Sequence, residues 1–208
     1  QVTSYIRSLI RKGTLEIGAP VKEAVLSEQL GISRAPIREA LQVLVQEGLI
    51  TSEPQKGKHV RQMTGKEIYD SYVVAGILEG AGVAESLPLW TEANMETFRS
   101  VVRQMEGKIS YATKLDELAE IDELFHATLF MACDNTRLVE MARTSCATIS
   151  KYLYYQHWIT MFTPREYADR HHAVAEAVYS RDVKHVETAL RDHYKETGLR
   201  MAQFGKEA

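Results

Sequence analysis

Cysteine is almost absent. Cys133 and Cys146 are the only two among 208 residues, too few for the disulfide framework of a small secreted fold. They read as reduced, buried thiols of a cytosolic protein, with a single bridge between them as the lesser alternative. No apolar run approaches the ~18 residues a membrane span needs, and no charged-then-apolar leader opens the chain. The chain begins at Gln1, so a trimmed native start is expected. Internal repeats and low-complexity segments are missing, and strand signals are scarce after the first third. A cytoplasmic protein with no membrane contact is the expectation.

What is present is ordinary globular material, 45% hydrophobic and 25% charged, long enough for one large or two small domains. The net charge of -3 hides an asymmetry. Residues 1–62 hold nine Lys/Arg against six Asp/Glu, and the remainder holds sixteen against twenty-two. A basic first third on an acidic chain suggests contact with a polyanion, although a mildly charged solvated surface fits this balance equally well.

A seam lies at "RQMTGKEIYDSY". Before it, Gly48, Pro54 and Gly57 are spaced like turns; after it the pattern is helical almost to the end. Thr64 and Glu67 form a T-x-x-E capping box, which places the boundary near residue 63: a first module over 1–63 and an all-helical domain of six or seven helices over 64–208. Thr163, Pro164 and Glu166 start one of these helices, and a last helix is expected over roughly 183–204. Pro88, Cys133–Asn135, 157–163 and Ser180–Asp182 read as breaks. The fold class is therefore mostly α, with a small β wing in the first module.

In "VKEAVLSEQLGISRAPIREALQVLVQEGLI", Leu26 and Leu30 share one helical face and Gly31 is a C-cap. Ser33 caps a second helix carrying Ile37, Leu41 and Leu44. Two short helices joined through a glycine turn make a helix-turn-helix. Arg34 and Arg38 lie on the leading part of the second helix, where side chains reach base edges in the major groove. Arginine suits this role because its planar fork bonds guanine bidentately. The next stretch, "GLITSEPQKGKHVRQM", reads as a two-stranded wing with Lys56, Lys58 and His59 near its tip. Surface pairing of Arg38 with Glu39 or Glu47 is the plain alternative.

The run Ser33-Arg34, Ile37-Arg38-Glu39-Ala40-Leu41, Leu44, Glu47-Gly48-Leu49, followed by Gly57 to Val60, resembles the GntR family of winged-helix transcription regulators. The resemblance implies operator DNA contacts through Ser33, Arg34, Arg38 and the wing at Gly57, to which Lys56 and Lys58 are added as neighbours. Some relatives carry an Arg on the preceding helix against the DNA; Ala24 stands there in this chain.

"EIDELFHATLF" sets Asp122 and His126 one turn apart beside Ile121, Phe125 and Leu129. Burying either group costs free energy unless it finds a partner. At ~100° per residue, His171 falls within the arc of Tyr167, Val174, Ala175 and Val178, and His193 shares a face with Val186, Ala189, Leu190 and Thr197. Three imidazoles and one carboxylate suit a divalent transition metal, Zn²⁺, Ni²⁺, Mn²⁺ or Fe²⁺, with zinc expected on isolation. The alternative is a polar core cluster satisfied by hydrogen bonds.

The pattern Asp122, Phe125, His126, His171, Ala177-Val178, Asp182 and His193, with Asn135 between the helices, resembles the FCD ligand-binding domain of the FadR branch of that family. The resemblance implies that Asp122, His126, His171 and His193 hold a metal and that a small carboxylate effector completes its coordination. Where an Arg often precedes the Glu of the first FCD helix, Ala75 precedes Glu79 here. Arg143, Tyr152 and Tyr155 are the replacement candidates for holding the effector.

The expected function is a metabolite-responsive transcription regulator, not an enzyme, acting as a homodimer on paired half-sites of duplex operator DNA. A metal-dependent enzyme built on the same four residues and a regulator with a purely structural metal are the competing readings.

Overall fold

Ile6 and Ile10, one turn apart and buried, set α1 (Val2–Arg11) against the second helix of the expected helix-turn-helix. The sequence reading passed over α1. A computed structural model describes residues 1–207 of the protein; Ala208, the last residue of the expected helical domain, lies outside the described residues. After α1 come α2 (Glu23–Leu30) and α3 (Arg34–Gln46). Gly31 sits between them at φ 64°, the left-handed conformation a glycine adopts without steric cost. Leu26, Ile37, Leu41 and Leu44 are buried together with Ile6 and Ile10. The hairpin of β1 (Ile50–Glu53) and β2 (Gly57–Val60) is antiparallel, with Ile50 opposite Val60.

The expected capping box is formed: Thr64 accepts from the Glu67 N–H while the Glu67 carboxylate accepts from the Thr64 N–H. It starts α4 (Gly65–Ser86). There follow α5 (Glu92–Ile109), α6 (Ala119–Leu129), α7 (Thr136–Ser145), a π-helical stretch over Ile149–Leu153, α8 (Tyr155–Trp158), α9 (Pro164–Ser180) and α10 (Val183–Ala202). Two residues of the FCD-like pattern are helix caps: the Asn135 side chain accepts from the Leu138 N–H, and that of Asp182 from Lys184 and His185. Phe98, Phe125, Leu129, Val178 and Leu190 lie in the core of the helical domain, each side chain contributing about 1.5–3 kcal/mol by leaving water.

α4 and α10 lie against each other along most of their length. Gly76 on α4 and Gly198 on α10 permit this, because a Cβ at either position would stand 2.8 Å from the Cβ of Tyr194 or Tyr72. This close approach brings Glu79 of α4 beside Tyr194 of α10.

Two expectations change. The segment Gly65–Leu89 does reach a mean hydropathy of 1.2 over a helix long enough to cross a membrane. Glu79 and Glu85 interrupt any unbroken apolar run, so only the average reveals it. Its apolarity is used internally, with 56% of the window buried in the protein. Cys133 and Cys146 are free thiols, but half-buried rather than buried.

The two halves share one core. Ile149, Leu153 and Tyr154 of the π-helical region, with Ile68, Tyr72 and Met201, pack into the same cluster as Ile6, Leu41, Leu44 and Val60.

Candidate functional site

The candidate DNA-reading face comprises α3 and the wing. Ser33 occupies the N-cap position, but its side chain makes no capping hydrogen bond. Arg34 and Arg38 are exposed. Arg38 bonds neither Glu39 nor Glu47: its Nε and Nη2 donate to Glu23 Oε2 at 3.3 and 3.1 Å. Glu47 is instead held by Arg7. Gly57 stands at φ 83° at the wing turn, and Lys56 beside it is exposed and paired with Glu53 at 2.8 Å. Lys58 is not a tip residue. Its strand neighbours turn it toward α2, where it bonds Glu23 at 3.2 Å with only 18% of its side chain exposed.

The second site lies where α4, α6, α9 and α10 meet. One nitrogen from each of His126, His171 and His193 can be chosen so that all lie within 4.8 Å of one another. Asp122 Oδ1 is 3.1 Å from His171 Nε2 and 4.0 Å from His126 Nε2. The other nitrogens of two rings are held from behind. His126 Nδ1 is 2.6 Å from Glu79 Oε1, and His171 Nδ1 donates to the Tyr167 carbonyl at 2.8 Å. Each Nε2 is thereby directed toward the cluster, the arrangement by which outer groups orient metal-binding imidazoles. His193 Nδ1 is buried without a partner among the described residues, and an orphaned buried nitrogen calls for a ligand.

The electrostatics separate the three rings. Burial pushes His126 down, but Glu79 more than offsets it and carries the ring up to about 9. Burial holds His171 below its ordinary value despite Asp122, and holds His193 far below. Burial raises Asp122, yet bonding to His171 and the charge on His126 bring it below the ordinary carboxylate range. Two neutral imidazoles and an ionised carboxylate are the protonation states a divalent cation requires of its ligands, whereas His126 must release its proton to join them.

These groups wall one end of a cavity of about 900 Å³. Arg143, Tyr152 and Tyr155, the expected effector contacts, also line it. Tyr155 is tied by its hydroxyl to Asp116, and Arg143 is exposed at the rim. The sequence reading missed Arg170, Glu79 and Tyr194. Arg170 reaches the cavity as a largely buried guanidinium, bonded to the His193 carbonyl and Thr197 and lying 4.1 Å over Phe162. Its place next to His171 was the available signal, since adjacent helical residues are ~100° apart and can flank one site. Glu79 holds both His126 and, at 2.8 Å, the Tyr194 hydroxyl.

Residues 1–60 match the profile of bacterial regulatory proteins of the gntR family, and residues 70–196 match that of the FCD domain. The chain is a GntR-family transcription regulator with an FCD domain. It is 26% identical over 210 residues to the HTH-type transcriptional repressor RspR of Escherichia coli K12, covering all of this chain and 90% of that protein. It is 31% identical over 142 residues to a probable D-xylose utilization operon transcriptional repressor of Paenarthrobacter nicotinovorans, covering 67% of this chain and 61% of that one. The fold is shared with E. coli McbR/YncC, at TM-score 0.70 and 20% identity, covering 98% and 96% of the two chains. A GntR regulator from Rhodococcus sp. RHA1 gives 0.69 at 21% identity, covering 99% and 97%. Members of this family regulate transcription by binding DNA, and the gntR match falls on the winged module.

Proposed function

We propose that this FCD regulator senses a small organic acid at a divalent metal held by Asp122, His126, His171 and His193, and that occupancy changes its affinity for operator DNA. The convergence of three imidazole nitrogens within 4.8 Å at the end of a large cavity carries this reading. The bound metal would act as a Lewis acid, giving a carboxylate oxygen a coordination position; zinc is the expected ion in the isolated protein, with Ni²⁺, Mn²⁺ or Fe²⁺ accepted by the same donors. Arg170, already ion-paired with Glu196, supplies buried positive charge to the cavity in place of the Arg missing at Ala75, and Arg143, Tyr152 and Tyr155 are weaker effector contacts. Ser33, Arg34, Arg38, Lys56 and Gly57 meet the DNA.

Residues 1–63 act as the reader and 64–208 as the effector and dimerisation domain of a homodimer, since a single recognition helix makes few base contacts and paired half-sites supply the rest. The route between the sites is short. Ser150, Lys151 and Tyr152 line the cavity, while Ile149, Leu153 and Tyr154 of the same stretch lie in the reader's core. Arg11 of α1 also reaches the cavity, 4.0 Å over the Tyr155 ring. A ligand that prefers one arrangement of these residues must shift the reader toward it, by a coupling of typically ~1–3 kcal/mol.

The test is metal analysis of untagged protein purified without chelator, followed by titration of gluconate and citrate against zinc-loaded protein on its own promoter DNA. His193→Ala is expected to lose metal and the response while keeping its helical content. Full response in metal-free protein, or a normal response in His193→Ala, would sink the reading. Cobalt substitution separates an effector site from a structural one, because only an open coordination position changes the Co²⁺ spectrum when a carboxylate arrives.

A further inference from the structure

Glu23 is the first residue of α2, beside Arg38 of α3, the residue proposed above to meet DNA. An acid there is unexpected, because phosphates repel it. Its two oxygens are both used. Oε2 accepts from Arg38 Nε and Nη2, and Oε1 accepts from Lys58 at 3.2 Å. Bonding to Arg38, aided by Lys58 and opposed by burial, holds the carboxyl below its ordinary range. The carboxylate therefore joins three elements: α2, the recognition helix α3 and strand β2 of the wing.

The chemistry of the guanidinium makes this joint informative. Arginine carries five N–H donors, on Nε, Nη1 and Nη2. Glu23 takes the Nε–H and one Nη2–H, the side edge of the fork. What remains is the end-on pair from Nη1 and Nη2, and the Arg38 side chain is 63% exposed. An end-on pair of parallel N–H groups is one of the two faces that can match guanine O6 and N7. With the side edge held, Arg38 has lost much of its rotamer freedom before DNA arrives, and that loss is not incurred on binding.

We propose that Glu23 is a positioning residue for sequence discrimination: it holds Arg38 with its end-on fork directed outward and, through Lys58, sets the recognition helix and the wing in one register. This rests on Arg38 being a base-reading residue. Lys58 then acts through Glu23 and not as a phosphate contact, although it lies on the wing. α2 serves DNA binding here through an acid that organises cations on two other elements, while Ala24 beside it offers no charge.

The prediction separates a positioning role from a merely structural or merely repulsive one. A duplex enriched from a random pool by the full-length chain is compared with a scrambled duplex of equal length at one salt concentration. Glu23→Gln removes a negative charge, so affinity for the scrambled duplex is expected to hold or rise. Affinity for the enriched duplex is expected to fall about tenfold, the scale of one bidentate base contact. Glu23→Asp keeps the charge but shortens the reach, and is expected to lose discrimination without the gain on scrambled DNA. Loss of folding would lower both affinities together, and circular dichroism and thermal melting identify it; the aspartate variant then carries the test. Equal increases on both duplexes in Glu23→Gln, or unchanged discrimination in both variants, overturn the proposal. Arg38→Ala locates such a failure: intact discrimination there means that Arg38 is not the reader, whereas lost discrimination there with normal Glu23 variants means that Arg38 reads DNA without Glu23.

Discussion

The Tyr154 hydroxyl accepts from the Met63 N–H at 3.1 Å and donates to the Met63 carbonyl at 3.2 Å. One side chain of the helical domain thus satisfies both backbone groups of the residue that ends the reader. Tyr154 and Met63 are both buried, so water does not replace the lost oxygen easily. Tyr154→Phe is expected to cost about 1–3 kcal/mol by leaving buried polar groups unpaired. A urea melt checks this, and hydrogen exchange should quicken around residue 63 before it does in α5. A variant as stable as wild type would mean that the seam is wet.

Glu79 does not join the three-imidazole cluster, yet it sets the orientation of His126 from 2.6 Å away. Outer partners of this kind typically tune metal affinity by about 10–100-fold. Glu79→Gln should therefore weaken zinc binding within that range without abolishing it, whereas His193→Ala should remove most of it. Competition with a fluorescent chelator measures both, and equal affinity in Glu79→Gln and wild type would show that His126 needs no such support.

Lys56 and Lys58 are two residues apart and should behave differently. Lys56 is exposed at the wing turn, and Lys58 is mostly covered and bonded to Glu23. If Lys56 meets a phosphate, Lys56→Ala weakens binding to all sequences alike and lowers the slope of log affinity against log salt by about one. Lys58→Ala should leave that slope unchanged and reduce discrimination instead. Binding isotherms at four salt concentrations distinguish the two.

The cap at the domain junction has a pH signature. Hydrogen bonding from the Thr64 backbone N–H, opposed by burial, holds the folded Glu67 carboxyl below its ordinary value of 4.5. A folded-state pKa that is depressed adds stability above the unfolded pKa and loses it as pH falls through the folded one. Wild type should exceed Glu67→Gln in stability at pH 7, with the gap closing below pH 4.5. Thr64→Ala, which removes the cap acceptor, should cost about 1 kcal/mol. A gap independent of pH would mean that the Glu67 charge contributes nothing.

Local rules made much of this protein readable without coordinates. Gly31 and the Thr64 and Thr163 capping boxes mark helix ends because they act within a few residues of chain. The inward arcs of Asp122, His126, His171 and His193 were also legible, since each depends only on the period of its own helix. What periodicity leaves open is which residues of different helices meet. The Arg38–Glu23 and Lys58–Glu23 pairs, Glu79 behind His126, and Arg170 in the cavity lie between 15 and 47 residues from the partner, or on a flank that the apolar stripe does not mark. Burial is specified by side-chain chemistry, one helix at a time; partnership is decided by the distance of approach between helices, here set by Gly76 and Gly198, where the lack of a Cβ lets α4 and α10 close on Glu79 and Tyr194.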